Sequence, residues 1–262
     1  MNKGILLLVL MAALAASCVT NKKYVYLQKE DVNKKDLPLD SVVRSYKPID
    51  FNYKIQPQDL LSVRFESITP QEYDFLGQRT QSGQVNNAIQ GNALLIGDLV
   101  DENGEIPFPF IGKIKVAGFT VFQIQENLQE IASNYLDSPV VKVRLLNYRF
   151  TILGEVNREG TITISNNRIN VLEALGLAGG LTDLADKSIL KIIRQYDGET
   201  TVAYVNILDE EFVNSPFYYI NQNDVIIAPA LKQRPYRRYF GQNLSLVIST
   251  LSLLLLTINL AK

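Results

Sequence analysis

The chain has 262 residues, 26 basic against 27 acidic, for a formal net charge of −1, so it carries no field that would attract nucleic acid or an anionic membrane surface. It holds no histidine and one cysteine. That excludes serine–histidine nucleophiles, histidine-ligated zinc and Cys-x-x-Cys centres, and leaves carboxylate pairs as the remaining acid–base chemistry. No cofactor and no metal is expected, and nothing in the composition leans towards an enzyme.

Residues 1–17 have the order of an export signal: Lys3, an apolar run from Gly4 to Leu14, then Ala15–Ala16–Ser17. The run is too short, and its far flank too uncharged, for a spanning helix. Cys18 follows at once. The arrangement resembles a bacterial lipobox, with Leu14 one place further upstream than is commonest. Two readings fit, an acylated Cys18 that becomes the new N-terminus or a chance cysteine in a cleaved signal, and the position of the sole thiol favours lipidation. Acyl chains anchor without spanning. Val19 rather than aspartate after the cysteine points, by the sorting rule for enteric lipoproteins, to the outer membrane. Residues 18–46 are polar and aperiodic, and read as a tether.

Period-2 patterning begins in YKIQPQDLLSVRF, where Ile55, Leu61, Val63 and Phe65 are apolar around a turn at Pro57–Gln58–Asp59. Residues 68–92 have few apolar anchors and read as an insertion loop. LLIGDLV and EIPFPFIGKIKV follow on either side of Asn103–Gly104, which suits a tight hairpin; Pro107 and Pro109 put the second strand at an edge or in a bulge. The period then changes. Thr120 and Gln123 form a capping box, and Val121, Ile124, Leu128, Ile131 and Tyr135 recur at helical spacing. Alternation of Val141, Val143 and Leu145 closes this module with a strand.

The second module opens with FTILGEV, turns through Arg158–Glu159–Gly160 and returns as TITI. Asn170 and Glu173 cap a short helix that Gly179–Gly180 terminate. SILKIIRQY, a turn at Asp197–Gly198 and TTVAYVNI make a hairpin, and DVIIAP is the last strand. Strands around one short helix predict a β-grasp fold.

Three stretches resemble the outer-membrane polysaccharide export family, lipoproteins through which bacteria extrude capsule or exopolysaccharide. YKIQPQDLLSV resembles the opening of the export domain. DENGEIPFPFIGKIKVAGFTVFQIQENL resembles its central hairpin and helix. GEVNREGTITISNNRINVLEALGLAGGLTDLADKSILKIIR with YINQNDVIIAP resembles a soluble-ligand-binding β-grasp (SLBB) domain. Turn glycines of the family are replaced by Gln58 and Asn223, and a proline by Glu159. Only one β-grasp repeat is visible.

The expected fold class is α+β, with a β-rich export domain over 47–148 and one SLBB-like β-grasp domain over 149–230. The resemblance implies a homo-oligomeric ring that is a passive conduit for polysaccharide, and an inner-membrane copolymerase, often fused to or paired with a tyrosine kinase, as partner. A membrane-tethered glycan-binding module without a pore is the alternative. A glycan hydrolase using the cluster Asp98, Asp101, Glu102 and Glu105 is a third possibility, although acidic hairpin tips are commonly just solvated. Phe217, Tyr218 and Tyr219 could stack on sugar rings or fill a core.

The chain ends in a second apolar run. Residues 231–239 form a basic and aromatic linker in which Arg234, Tyr236, Arg237, Arg238 and Tyr239 resemble an interfacial belt. Residues 240–262 are expected to form a membrane helix, roughly 33 Å long for the uncharged part. Gln242, Ser245, Ser249, Ser252 and Asn259 share one face, and Val247, Leu251, Leu254 and Ile258 the opposite one. The polar stripe either lines water in a ring while the other face meets lipid, or merely packs helices closely.

Overall fold

A computed structural model describes residues 25–29, 31, 40–47, 49–68, 97–108, 111–166, 168–196, 198–232, 244–250, 252–253 and 256–257. Among the described residues, ten strands and the helices Val121–Ala132 and Val171–Leu177 form two modules around one continuous core. In the first module β1 (Leu60–Glu66) is central, flanked by β2 (Asp98–Leu99) and β5 (Val140–Leu145), both antiparallel to it. Strand β5 alternates as expected, with Val141, Val143 and Leu145 buried. Helix α1 (Val121–Ala132) packs on β5 and has the Thr120–Gln123 capping box, which satisfies two of the backbone donors a helix start leaves open.

Two expectations for this module change. The chain does turn at Gly104, whose φ is 75°. However, β2 leaves to pair with β1, and EIPFPFIGKIKV folds on itself as β3 (Glu105–Phe108) against β4 (Gly112–Lys115). An Asn-Gly pair specifies a reversal, not which strands pair across it. The buried face of α1 runs Val121, Ile124, Leu128, Ala132. Tyr135 lies past the helix end, half-exposed, and Leu136 takes the buried place.

The second module is a five-stranded sheet ordered β7-β6-β10-β8-β9, with β6 (Arg149–Gly154) parallel to β10 (Val225–Ala228) and the other pairs antiparallel. Here β7 is Gly160–Thr163, β8 is Leu190–Tyr196 and β9 is Glu199–Val205. Helix α2 (Val171–Leu177) has the Asn170–Glu173 capping box. Gly179 and Gly180 end it with bonds from their N–H groups to Gly176 and Leu175 carbonyls, the paired closure that needs left-handed residues beyond the helix. Gly154 is needed for another reason: a Cβ there would lie 2.2 Å from the Ala228 carbonyl oxygen of the parallel neighbour.

Part of the expected tether is held against this second module. Gln28 bridges Asp209, with Leu27 and Gln28 donating to the Ile207 and Leu208 carbonyls. The Arg44 guanidinium spans Asp31 at 2.6 Å and Glu210 at 2.7 Å.

The membrane helix expected over 240–262 is corrected. Among the described residues no helix is long and apolar enough to cross a membrane. Among the described residues the terminal run is helical over 244–250. Within it the Ser249 hydroxyl donates back to the Ser245 carbonyl at 2.7 Å and the Thr250 hydroxyl to the Val247 carbonyl at 2.9 Å.

Candidate functional site

The two modules meet at a pair of similar turns. In the first, Gln58 has φ 74° and precedes Asp59; in the second, Asn223 has φ 62° and precedes Asp224. Each aspartate accepts the backbone N–H three residues back, from Gln56 at 3.0 Å and from Asn221 at 2.8 Å. Each also donates its own N–H to that residue's carbonyl. Asn147, between the modules, ties the turns together. Its side chain accepts from Leu60 N–H at 2.9 Å and donates to the Gln58 carbonyl at 3.1 Å. Its carbonyl takes the Gln222 amide at 2.7 Å, while Gln222 accepts from Arg149 N–H at 2.7 Å.

Both carboxylates are buried, Asp59 at 1% and Asp224 at 0% exposed. Their surroundings differ. Arg194 grips Asp224 through Nε and Nη2, the latter at 2.8 Å, and also donates to the Tyr219 carbonyl. Asp59 has the Tyr53 hydroxyl at 2.8 Å. Burial pushes Asp59 up to about 6, with the Gln56 and Tyr53 hydrogen bonds working against the rise. Burial raises Asp224 too, against the pull of Arg194. Tyr53 stands edge-on to the fully buried Tyr148, whose hydroxyl donates to the Ile220 carbonyl.

Beside this junction lies a cleft of about 590 Å³ between the start of α1, the outer face of β5 and the loop before α2. Phe51, Phe122, Arg144 and Arg168 line it with Asn52, Ser165 and Asn166. Among the described residues no acidic side chain does. Phe122 is 72% exposed. Arg168 lies over the Tyr219 ring, 5.2 Å from its centroid, and Phe51 stacks on that same ring at 5.1 Å. The 217–219 aromatics thus mainly build the junction: Tyr218 meets Phe212 and Tyr219 edge-on, and Phe217 lies under Arg194.

The residues singled out from sequence fall elsewhere. Cys18, Arg234, Tyr236, Arg237, Arg238, Tyr239, Gln242, Leu251, Leu254, Ile258 and Asn259 lie outside the described residues. Ser245, Val247, Ser249 and Ser252 are described, all exposed. The acidic cluster is a turn: Asp101 accepts from Glu105 N–H and pairs with Lys113 at 2.8 Å, which holds its carboxyl below the ordinary range. Sequence reasoning missed the cleft because Phe51, Phe122, Arg144 and Arg168 are far apart in the chain. The outward phase of Arg144 in β5 and of Phe122 next to buried Val121 was the available signal.

The family model for the polysaccharide biosynthesis/export protein matches residues 47–146, and that for the SLBB domain matches residues 148–227. The chain is 28% identical over 172 residues to the EPS I polysaccharide export outer membrane protein EpsA of Ralstonia solanacearum, covering 62% of this chain and 43% of that protein. It is 34% identical over 102 residues to the protein of the same name from Ralstonia nicotianae, covering 37% of this chain and 27% of that one. The matched region therefore spans less than half the length of these relatives. With an export module and an SLBB module packed in this order around one core, the chain belongs to the polysaccharide export family and carries an SLBB domain.

Proposed function

We propose that the protein is an outer-membrane component of a polysaccharide exporter, a lipoprotein that assembles into a ring and passes the polymer without cutting it. One observation carries this reading: the export module is followed directly by the SLBB module, and the pair is similar to proteins named for exopolysaccharide export. A hydrated glycan needs a polar lumen where lipid would exclude it. Two small modules filled by one core leave no room for such a lumen, so assembly has to supply it. An inner-membrane copolymerase with its tyrosine kinase is the partner that would feed the polymer in.

Acylation of Cys18 would attach the protein. Cys18 lies seven residues before Val25, a reach of at most roughly 25 Å. Leu27 and Gln28, just beyond Val25, are held on the SLBB module, so the lipid would draw that module towards the membrane and leave the export module further into the periplasm. The glycan-binding module without a pore stays as a second reading, favoured by the open cleft.

Deleting the gene and measuring polysaccharide outside and inside the cell tests export. Retention of polymer within the envelope is expected, and normal release overturns the reading. Crosslinking in intact cells should give species well beyond a dimer. A product no larger than a dimer overturns the ring and leaves the tethered binder. Cys18→Ser should abolish labelling by fatty acid; unchanged labelling overturns the lipid anchor.

A further inference from the structure

We infer that the cleft beside the module junction is a binding site for an acidic glycan, taking the carboxylate of a uronic acid residue between Arg144 and Arg168 while a neighbouring sugar ring lies on Phe122. The inference rests on the export reading for the class of polymer and goes beyond it in naming the site and the charge.

Four observations carry it. The cleft has about 590 Å³, within the roughly 300–1,000 Å³ of small-molecule sites. Arg144 and Arg168 line it, and neither makes an ion pair among the described residues. That contrasts with Lys113 and Lys142, paired with Asp101 and Glu66 on the same module, and with Arg194 on Asp224. Arg168 is held in orientation by the Tyr219 ring beneath it, which lowers the entropy lost when its planar fork takes a carboxylate. Asn52, Ser165 and Asn166 line the same space with no hydrogen-bond partner among the described residues, and carry the donors and acceptors a hydroxyl-rich ligand needs. Phe122 offers an exposed aromatic face at the rim. The overall charge of −1 makes this local cationic site a feature of placement, not of bulk field.

The cleft could instead be an anion patch for lipid headgroups, or be covered by the next copy in a ring, and the test separates these. The full-length protein in detergent is titrated calorimetrically with an α-1,4-linked galacturonate hexamer and with the same hexamer reduced at its carboxyls. The acidic hexamer should bind at least tenfold tighter. Arg144→Gln and Arg168→Gln should each weaken it about tenfold to a hundredfold. Both side chains are exposed, so thermal unfolding should not move. Phe122→Ser should weaken both hexamers alike. Equal affinity for the two hexamers, no binding of either, or wild-type affinity in both arginine variants overturns the inference, as does full competition by phosphatidylglycerol vesicles or inorganic phosphate. A cell that exports normally with a protein that binds no uronate sinks this inference alone. Export that is unchanged when the gene is deleted sinks the reading beneath it.

Discussion

The two junction turns have one backbone solution and two electrostatic ones. Both close with a left-handed residue followed by a buried aspartate that accepts the N–H three residues back. In the SLBB module Arg194 reaches that aspartate from a neighbouring strand, and in the export module a tyrosine hydroxyl does so from six residues away. The turn needs the carboxylate oxygen for a local reason, because it satisfies a backbone donor that water cannot reach. Neutralising the charge is a separate problem with a non-local answer. The comparison therefore predicts that the SLBB turn tolerates neutral pH but not loss of its partner, while the export turn carries its strain in its pH dependence.

Breaking the ion pair should give the largest effect. Arg194→Met leaves Asp224 buried without its cation, at a cost of about 3–5 kcal/mol, read as a fall in the urea midpoint at pH 7. Adding Asp224→Asn should recover much of it, since the charge is then gone and the turn acceptor stays. An unfolding free energy that falls by less than about 1 kcal/mol would mean the pair is not what holds this turn.

The export turn should show itself next, in a titration. Burial raises the folded pKa of Asp59 from the ordinary aspartate value near 4 to about 6. The folded state therefore binds the proton more tightly than the unfolded chain between those values. Stability is highest below about pH 4 for this group, falls as pH rises through the window to 6, and stays reduced above it. The loss amounts to about 3 kcal/mol at 1.36 kcal/mol per unit. Asp59→Asn should flatten that slope between pH 4 and 6 while leaving the SLBB turn untouched. A slope that survives the substitution would reassign it to another group, Asp224 first.

A smaller effect separates the tyrosine from the burial. Tyr53→Phe removes the hydroxyl donated to Asp59, which should cost about 1.5–3 kcal/mol at pH 7. The cost should shrink below pH 5, where the carboxyl is protonated. It should also push the Asp59 titration above 6. An equal cost at both pH values would make the loss one of packing against Tyr148, not of charge.

What the sequence shows and hides follows the same division. Local closures are legible because a few adjacent residues decide them: Thr120 with Gln123, Asn170 with Glu173, Gly179–Gly180 at the end of α2 and the β8–β9 hairpin. Non-local choices are not. The turn at Gly104 is visible, but the departure of β2 to β1 depends on which edge is free. Arg144 and Arg168 read as solvated charges until the fold brings them to one cleft. The terminal run read as a membrane helix because no charge breaks it, whereas among the described residues no helix is long and apolar enough to cross a membrane.

The smallest prediction returns to the residue before each aspartate. Gln58 and Asn223 both hold positive φ, 74° and 62°. The left-handed region costs an ordinary side chain roughly 1–2 kcal/mol, and asparagine less because its short amide bonds locally. Gln58→Gly should therefore stabilise by up to about 1 kcal/mol, since relief of the Cβ clash outweighs the entropy glycine adds to the unfolded chain. Asn223→Gly has less strain to relieve and also loses the bond from Arg149 Nε to the Asn223 amide oxygen at 3.1 Å, so it should be neutral or slightly destabilising. Two urea curves on otherwise identical protein test the pair. A gain at Asn223 as large as that at Gln58 would mean that the backbone, and not the side chain's own hydrogen bonding, sets the cost of these turns. The two modules would then differ only in how they neutralise their aspartates.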